Sequence, residues 1–198
     1  MQGKKILVMT LSGFAASFFV MKAFAEVAIP YGWYLEGNAG ESGLTKKSYP
    51  GTSKSSGLGT NLDIGYKFLP YMSGEIGYTE YASTTIKNGA TKAAVDQHYA
   101  FDIVGKGAFP AADSSFELFG KIGLARVYSR MKISDSTAAS ALAITAGRLN
   151  ASGLYLAVGG QYNITQNIGA NLQWAQAAGD AKTGTMSLVS LGMSYIFG

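Results

Sequence analysis

The sequence predicts an all-β fold: an eight-stranded antiparallel up-and-down transmembrane β-barrel that follows an N-terminal signal peptide. Three observations carry this. At the end of the chain Val189, Leu191, Met193, Tyr195 and Phe197 share one strand face, while Ser190, Gly192 and Ser194 share the other. Strict alternation is the period of a strand that separates two environments. The apolar face ends in two aromatics, as a strand does at an aromatic girdle. Second, only 14% of residues are charged, 26 are Gly and 12 are Tyr, and no apolar run after Val20 approaches helical spanning length. That composition suits a β-rich chain whose surface meets lipid. Third, eight alternating segments are joined by connections that are long, short, long, short, long, short and long.

The N-terminus reads as a secretory signal. Lys4 and Lys5 precede an apolar run from Ile6 to Val20, and Ala23-Phe24-Ala25 gives a small-x-small cleavage site before Glu26. The run is only about 15 residues long, short of the roughly 20 needed by a spanning helix. The expected division is therefore a signal peptide, 1–25, and one barrel domain, 26–198. Loss of Lys4, Lys5 and Lys22 leaves 13 basic residues against 12 acidic ones, a balance of +1. Nothing in that charge supports a nucleic-acid partner. With no Cys the chain has neither a disulfide framework nor thiol chemistry.

The expected strands can be justified in order. The first spans 33–40, with Trp33, Leu35 and Ala39 opposing Tyr34, Glu36 and Asn38. A polar segment, 41–57, leads to the second, 58–68, where Leu62, Ile64, Tyr66 and Phe68 oppose Asn61, Asp63, Gly65 and Lys67. Leu69 to Met72 is a Pro-containing turn. The third, 73–81, sets Ile76 and Tyr78 against Glu75, Gly77 and Thr79. A second polar segment, 82–97, precedes the fourth, 99–109, with Tyr99, Phe101, Ile103 and Phe109 opposing Asp102, Val104 and Lys106. After a turn at 110–115, the fifth, 116–128, sets Leu118, Ile122 and Leu124 against Glu117, Phe119, Lys121 and Gly123. The third polar segment, 129–152, has an apolar portion, 138–146, fit for a helical turn or a hairpin extension. The sixth, 153–162, carries Leu154, Leu156, Val158 and Tyr162 outward and Tyr155, Gly159 and Gln161 inward. A turn, 163–167, leads to the seventh, 168–176, with Leu172 and Trp174 opposing Asn171 and Gln173, and 177–184 leads to the eighth.

All short turns then fall at one end, as in an up-and-down meander. In lipid an open sheet edge leaves backbone groups unpaired at several kcal/mol each, so the first strand must pair with the last. Aromatics cluster at both ends: Trp33, Phe68, Tyr71, Phe109, Phe116, Tyr162, Tyr195 and Phe197 at the turn end, and Tyr78, Tyr81, Tyr99, Tyr128 and Trp174 toward the loop end, with Tyr66 completing the girdle residues. A soluble lipocalin-like barrel would invert the faces and leaves the girdles unexplained.

The last residues also resemble the terminal assembly signal of bacterial outer-membrane barrels, matched by Ser190, Gly192, Met193, Tyr195 and Phe197. Gly198 departs from it by following the Phe. Gly74-Glu-Ile-Gly-Tyr-Thr-Glu-Tyr81, Phe119-Gly-Lys-Ile-Gly-Leu124 and Val158-Gly-Gly-Gln-Tyr-Asn-Ile-Thr165 resemble the third, fifth and sixth strands of the OmpA-like eight-stranded barrels, a likeness that spans 31–197. It implies a bacterial outer-membrane location, contact with membrane lipid and lipopolysaccharide, insertion by the barrel assembly machinery, and a monomer. Structural, surface-contact and narrow-pore roles are known in that family. The chain ends at its eighth strand and is expected to lack the C-terminal peptidoglycan-binding domain of many relatives. In OmpA itself two interior acids and two interior bases form a switchable gate. Glu75 and Lys106 match one of each by position, whereas Gln161 and Asn171 stand at the other two.

Eight strands leave an interior filled by side chains. The expected interior charge network is Glu36, Asp63, Glu75, Asp102, Lys106, Glu117 and Lys121, with Lys67 beside it. Strand order predicts that Lys106 meets Glu75 and Glu117, and that Lys121 meets Asp102 and Asp63. A polar plug outweighs a gate as the reading of this set.

Catalysis would need a rim site in which a base activates a Ser. The one His, His98, has Ser83 and Asp96 nearby in sequence but no His-x-Ser pattern, so no catalytic residue is assigned. No metal-ligand spacing and no cofactor motif appears. Lys46, Lys47, Lys54, Lys87, Lys92, Arg130, Lys132 and Arg148 fall in the expected loops. They are read first as solvated charge and second as contacts for lipopolysaccharide phosphates. The expected function is a non-enzymatic barrel with a structural or surface-interaction role and an extracellular ligand that loop composition does not identify. A narrow passive channel is the alternative, ahead of a rim enzyme acting on lipid A.

Overall fold

The computed structural model describes residues 30–111 and 115–197. The expected signal peptide, Asp113 in the second turn, and Gly198 lie outside them. Nine strands and one short helix follow in order: β1 (Gly32–Thr45), β2 (Thr52–Lys54), β3 (Ser56–Leu69), β4 (Met72–Asn88), β5 (Thr91–Ala111), β6 (Phe116–Ile133), α1 (Ser136–Ala141), β7 (Gly147–Asn163), β8 (Ile168–Ala177) and β9 (Thr185–Ile196). Eight of them form a closed antiparallel ring, β1-β3-β4-β5-β6-β7-β8-β9, and β2 adds to the loop end of β4. Closure comes from β1 on β9, in register from Tyr34 opposite Ile196 to Thr45 opposite Thr185. Every β-barrel that crosses lipid needs this pairing, because no edge can stay open there.

The alternation predicted from sequence sets which side chains face out. Leu62, Ile64, Phe101, Ile122, Leu156, Leu172 and Leu191 are all exposed on the outer wall, with Ile122 at 62% and Leu191 at 68%. So large an apolar surface is stable only against lipid. Among the girdle residues, Trp33, Tyr66, Phe68, Tyr78, Phe109, Tyr162 and Trp174 are exposed on the same wall. Tyr99 stacks on Tyr128 with ring centroids 4.8 Å apart, and Trp33 meets Tyr66 edge-on at 5.2 Å. Tyr81 is the exception, since it is only 5% exposed and packs inside. Within the terminal segment Ser190 is buried, while Met193, Tyr195 and Phe197 lie on the outer wall and the last two meet edge-on at 5.0 Å.

The loop end differs from the sequence expectation. Segment 82–97 is not a loop. It continues β4 and β5 as a hairpin that turns at Gly89, whose φ of 59° requires the left-handed conformation. The polar residues hid a strand period that runs on through Ala94, Asp96 and His98 to Ala100 and Asp102, all buried. A bulge between Tyr81 and Thr84 switches the inward parity of β4, so Thr84 and Ile86 are buried beyond it. Likewise β6 runs to Ile133 and β7 starts at Gly147. The apolar portion of the third segment supplies α1, capped by Asp135, which accepts from the Ala138 amide at 2.7 Å.

Candidate functional site

The interior is layered, and each layer follows from which side chains the inward parity delivers. At the turn end lies a polar vestibule of about 60 Å³, lined by Tyr34, Lys106, Glu117, Gln161 and Asn163 among others. Above it lies the charged layer. Lys106 and Lys121 are direct cross-strand partners, and both are buried. Lys106 Nζ is 2.8 Å from Glu36 Oε2 and 3.4 Å from Glu75 Oε1. Lys121 Nζ is 3.0 Å from Glu36 Oε1, 2.8 Å from Asp63 Oδ2 and 2.7 Å from Glu75 Oε2. Tyr34 donates to Glu75 Oε1 at 2.5 Å, and the Lys106 ammonium also lies over the Phe119 ring, 4.6 Å from its centroid.

Two expected pairings are corrected. Glu117 is half-buried in the vestibule wall and forms no ion pair with Lys106. Lys121 does not ion-pair with Asp102. Both corrections have one reason: an eight-stranded barrel is narrow enough for long side chains to cross it, so Glu36 on the opposite wall reaches both lysines. Adjacency of strands alone cannot find that contact. Asp102 instead faces Asp63 over Gly77, where a Cβ would collide with both carboxylates. Asn38 and Asn61 extend the network, with Asn38 Nδ2 donating to Asn61 Oδ1 at 2.8 Å and Asn61 Nδ2 donating to Asp63 Oδ1 at 2.7 Å. Gln161 donates to Asn163 at 2.8 Å and Asn171 is buried.

The next layer is apolar, and the sequence reading missed it. Tyr81, Val104, Val127, Tyr155, Met186 and Leu188 pack together with five buried alanines across the barrel. The signal was present: Met186 and Leu188 share the parity of Ser190, and Tyr155 faces inward.

Above this plug the strand extensions form a crown around a second buried polar cluster. Lys47 Nζ lies 2.5 Å from Asp96 Oδ2 and 2.7 Å from Ser129 Oγ. Ser129 and Tyr49 each donate to Asp96 at 2.8 Å. His98 Nε2 is 3.2 Å from the Tyr49 and Thr84 hydroxyls and 3.8 Å from Asp96 Oδ2. This cluster lies beyond the Tyr99–Tyr128 girdle, outside the lipid belt. Burial pushes the imidazole down to about 4, with the Asp96 carboxylate opposing that shift and the Lys47 ammonium adding to it. Burial, with the Asp96 charge, raises the Tyr49 phenol. The Ser129 hydroxyl is bonded to Asp96, not to His98, and Ser83 is exposed. The arrangement joins loop to strands. Among the described residues no group of His, Asp and Glu has the geometry to hold a metal ion.

A third core seals the top: Ile86, Ala93, Ala94, Ala138, Ala139 and Ile144, with Tyr49, Met131 and Leu142 against them. Of the basic residues expected in loops, Lys46, Lys54, Lys87, Lys92, Arg130, Lys132 and Arg148 are exposed, while Lys47 is held in the crown cluster.

Comparison with known proteins agrees with this architecture. Residues 11–197 match the family described as outer membrane protein beta-barrel domain. An uncharacterized protein of Coxiella burnetii is 26% identical over 216 residues, covering 84% of this chain and 85% of that protein. Neisserial surface protein A matches in fold with a TM-score of 0.58 at 15% identity, covering 83% of this chain and 97% of its own. Ail, the attachment invasion locus protein of Yersinia pestis, solved with the heparin analogue sucrose octasulfate, matches with a TM-score of 0.56 at 14% identity, covering 84% of this chain and 99% of its own.

Proposed function

We propose, from the premise that the chain belongs to the outer membrane protein β-barrel family and sits in the bacterial outer membrane, that it is a non-enzymatic, monomeric barrel whose working surface is its extracellular crown. The observation that carries this is the succession of closures along the barrel axis. A salt-bridged layer, an apolar plug and a crown with its own core lie one above another. A permanently open conduit would have none of these across its path, whereas each of them stiffens a platform that presents strand extensions above the membrane.

The barrel assembly machinery would read the terminal segment, and lipopolysaccharide would surround the outer half of the wall. A surface-interaction role is supported by where the chain places its buried contacts outside lipid. The β4–β5 hairpin and α1 are held together by apolar packing, and loop 46–51 is pinned to β5 and β6 through Lys47 and Tyr49. Ordered projections favour a specific partner because little ordering entropy remains to be lost on binding.

Two measurements on the purified, refolded barrel test this reading. Recording in planar bilayers should give no steady conductance of porin size, and incubation with lipid A should leave its acyl chains and phosphates unchanged by mass. Steady conductance would put a channel in place of the platform, and a changed lipid A mass would put a rim enzyme there.

A further inference from the structure

The outward face of the β6–β7 ribbon carries cations that no acid answers. Arg130 and Arg148 are direct cross-strand partners, and both are exposed. Side chains so placed start about 5 Å apart, and like charges directly opposite repel. Arg126 lies on the same outward face of β6, whose register with β5 and β7 is unbroken. Between the two levels sits Tyr128, stacked on Tyr99. The Arg126 guanidinium rises toward that level, lying 5.8 Å from the Tyr128 ring and donating to Asn150 Oδ1 at 2.9 Å. Asn150 is itself the cross-strand partner of Tyr128. None of the three arginines takes part in an ion pair among the described residues. Glu80, the outward acid in the Tyr99 row, stands on β4, two strands from β6.

Height decides what the counter-ion is. The Tyr99–Tyr128 stack marks the outer edge of the lipid belt. Two residues further along a tilted strand gain about 5 Å, which places Arg130 and Arg148 in the headgroup layer, with Arg126 reaching up to meet them. Guanidinium groups in this arrangement match phosphate oxygens bidentately. We propose that Arg126, Arg130 and Arg148 form a site for a phosphate of an outer-leaflet lipid, the lipid A of lipopolysaccharide. The site rests on the outer-membrane barrel reading and assigns one face of the wall to one lipid group.

The test uses the full barrel refolded into phosphatidylcholine nanodiscs doped with bisphosphorylated lipid A, with retained lipid A counted by native mass spectrometry. Heat-modifiable mobility is read first. A wild-type chain that never inserts refutes the barrel reading itself, while insertion without lipid A retention refutes only this site. The wild type is expected to retain lipid A, and Arg130→Gln with Arg148→Gln to lower retention about ten-fold. Arg126→Gln should lower it less. Lipid A stripped of both phosphates should not be retained, and Lys87→Gln with Lys92→Gln, at the hairpin tip, should leave retention unchanged. Equal retention by the double arginine variant, equal retention of the stripped lipid, or binding of sucrose octasulfate at these arginines without lipid A retention would overturn the proposal. If the Gln pair does not insert, Arg130→Lys with Arg148→Lys carries the test. It keeps charge but loses the fork, so a two- to three-fold loss is expected and wild-type retention counts against the site.

Discussion

Lys106 and Lys121 face each other directly across the β5–β6 pair, their two ammonium groups brought into one buried layer. Side by side, two buried cations would be prohibitive. Glu36 reaches from β1 on the far wall and bonds one lysine with each carboxylate oxygen. Glu75 also reaches both lysines, but from β4, beside β5. Glu36 comes from the far wall, so its bridge fastens opposite sides of the barrel.

Removing Glu36 should therefore cost far more than removing an acid outside the ion-paired layer, such as Glu117. Glu36→Ala leaves two facing cations short of one shared anion, a change expected to lose about 3–5 kcal/mol. Glu36→Gln with Lys106→Met should recover much of that, because both charges leave together. Glu117→Gln, in the half-buried vestibule wall, should stay within about 0.5 kcal/mol of wild type. Urea unfolding in lipid vesicles reads all of these. A Glu117 effect as large as that of Glu36 would contradict the placement of Glu36 in the ion-paired layer and of Glu117 outside it.

The wall makes a separate prediction. Ile122 and Leu156 are direct partners on β6 and β7 at mid-height, with side chains facing lipid. Arg at either should cost about 2–4 kcal/mol at the midplane. The same replacement at Lys132, exposed near the loop end of β6, should cost almost nothing. Folding yield into vesicles, followed by heat-modifiable mobility, distinguishes the two. Undiminished folding of Ile122→Arg would show that the facing of β6 is assigned to the wrong side.

The wall and the ring were legible in the sequence because alternation against lipid is enforced at every second residue, and closure is forced by backbone chemistry. Inward placement of Glu36, Asp63, Glu75, Asp102, Lys106 and Lys121 followed from the same parity. Their pairing followed in part: Lys106 with Glu75 and Lys121 with Asp63 were legible from strand order, whereas Glu36, which meets both lysines across the barrel, was not. The crown was hidden for a different reason. Thr84, Asp96 and His98 look like loop residues. The cover from Ile86, Ala138 and Ile144 buries them, and Lys47, Tyr49 and Ser129 supply the partners that make their burial tolerable. The Tyr81–Thr84 bulge, which changes parity, leaves no mark in composition.

The crown should be acid-sensitive through His98. Its folded value, about 4, lies below the ordinary 6.5. Above pH 6.5 both states hold the ring neutral and the crown has its full stability. As pH falls toward 4 the unfolded crown takes up a proton that the folded one refuses, so stability declines through that window and the loss is complete below it. The groups around the ring are Tyr49, Thr84, Asp96 and Lys47, and of these Asp96 is the one whose charge favours the protonated form. Hydrogen exchange of the 91–98 amides between pH 7 and 4 should show faster opening on acidification in wild type and a flatter profile in His98→Gln. Equal profiles would assign the acid response to another group.

Conductance separates the platform from a channel, and the layering says how many barriers must fail. Charge removal alone, as in Glu75→Ala or Lys106→Ala, leaves Tyr155, Met186 and Leu188 across the barrel and the α1 core above them. Those variants should conduct no more than wild type, which itself should show at most small, rare openings that do not change with pH across the carboxylate range. Opening a path should require Tyr155→Ala with Leu188→Ala, in a chain from which segment 134–146 has also been removed to lift the cover. Each core truncation costs about 2–5 kcal/mol, so retained heat-modifiable mobility must be shown alongside the recordings. Well-resolved wild-type channels altered by Glu75→Ala or Lys106→Ala would mean that the charged layer gates a pore, and that the apolar plug seen above it moves aside.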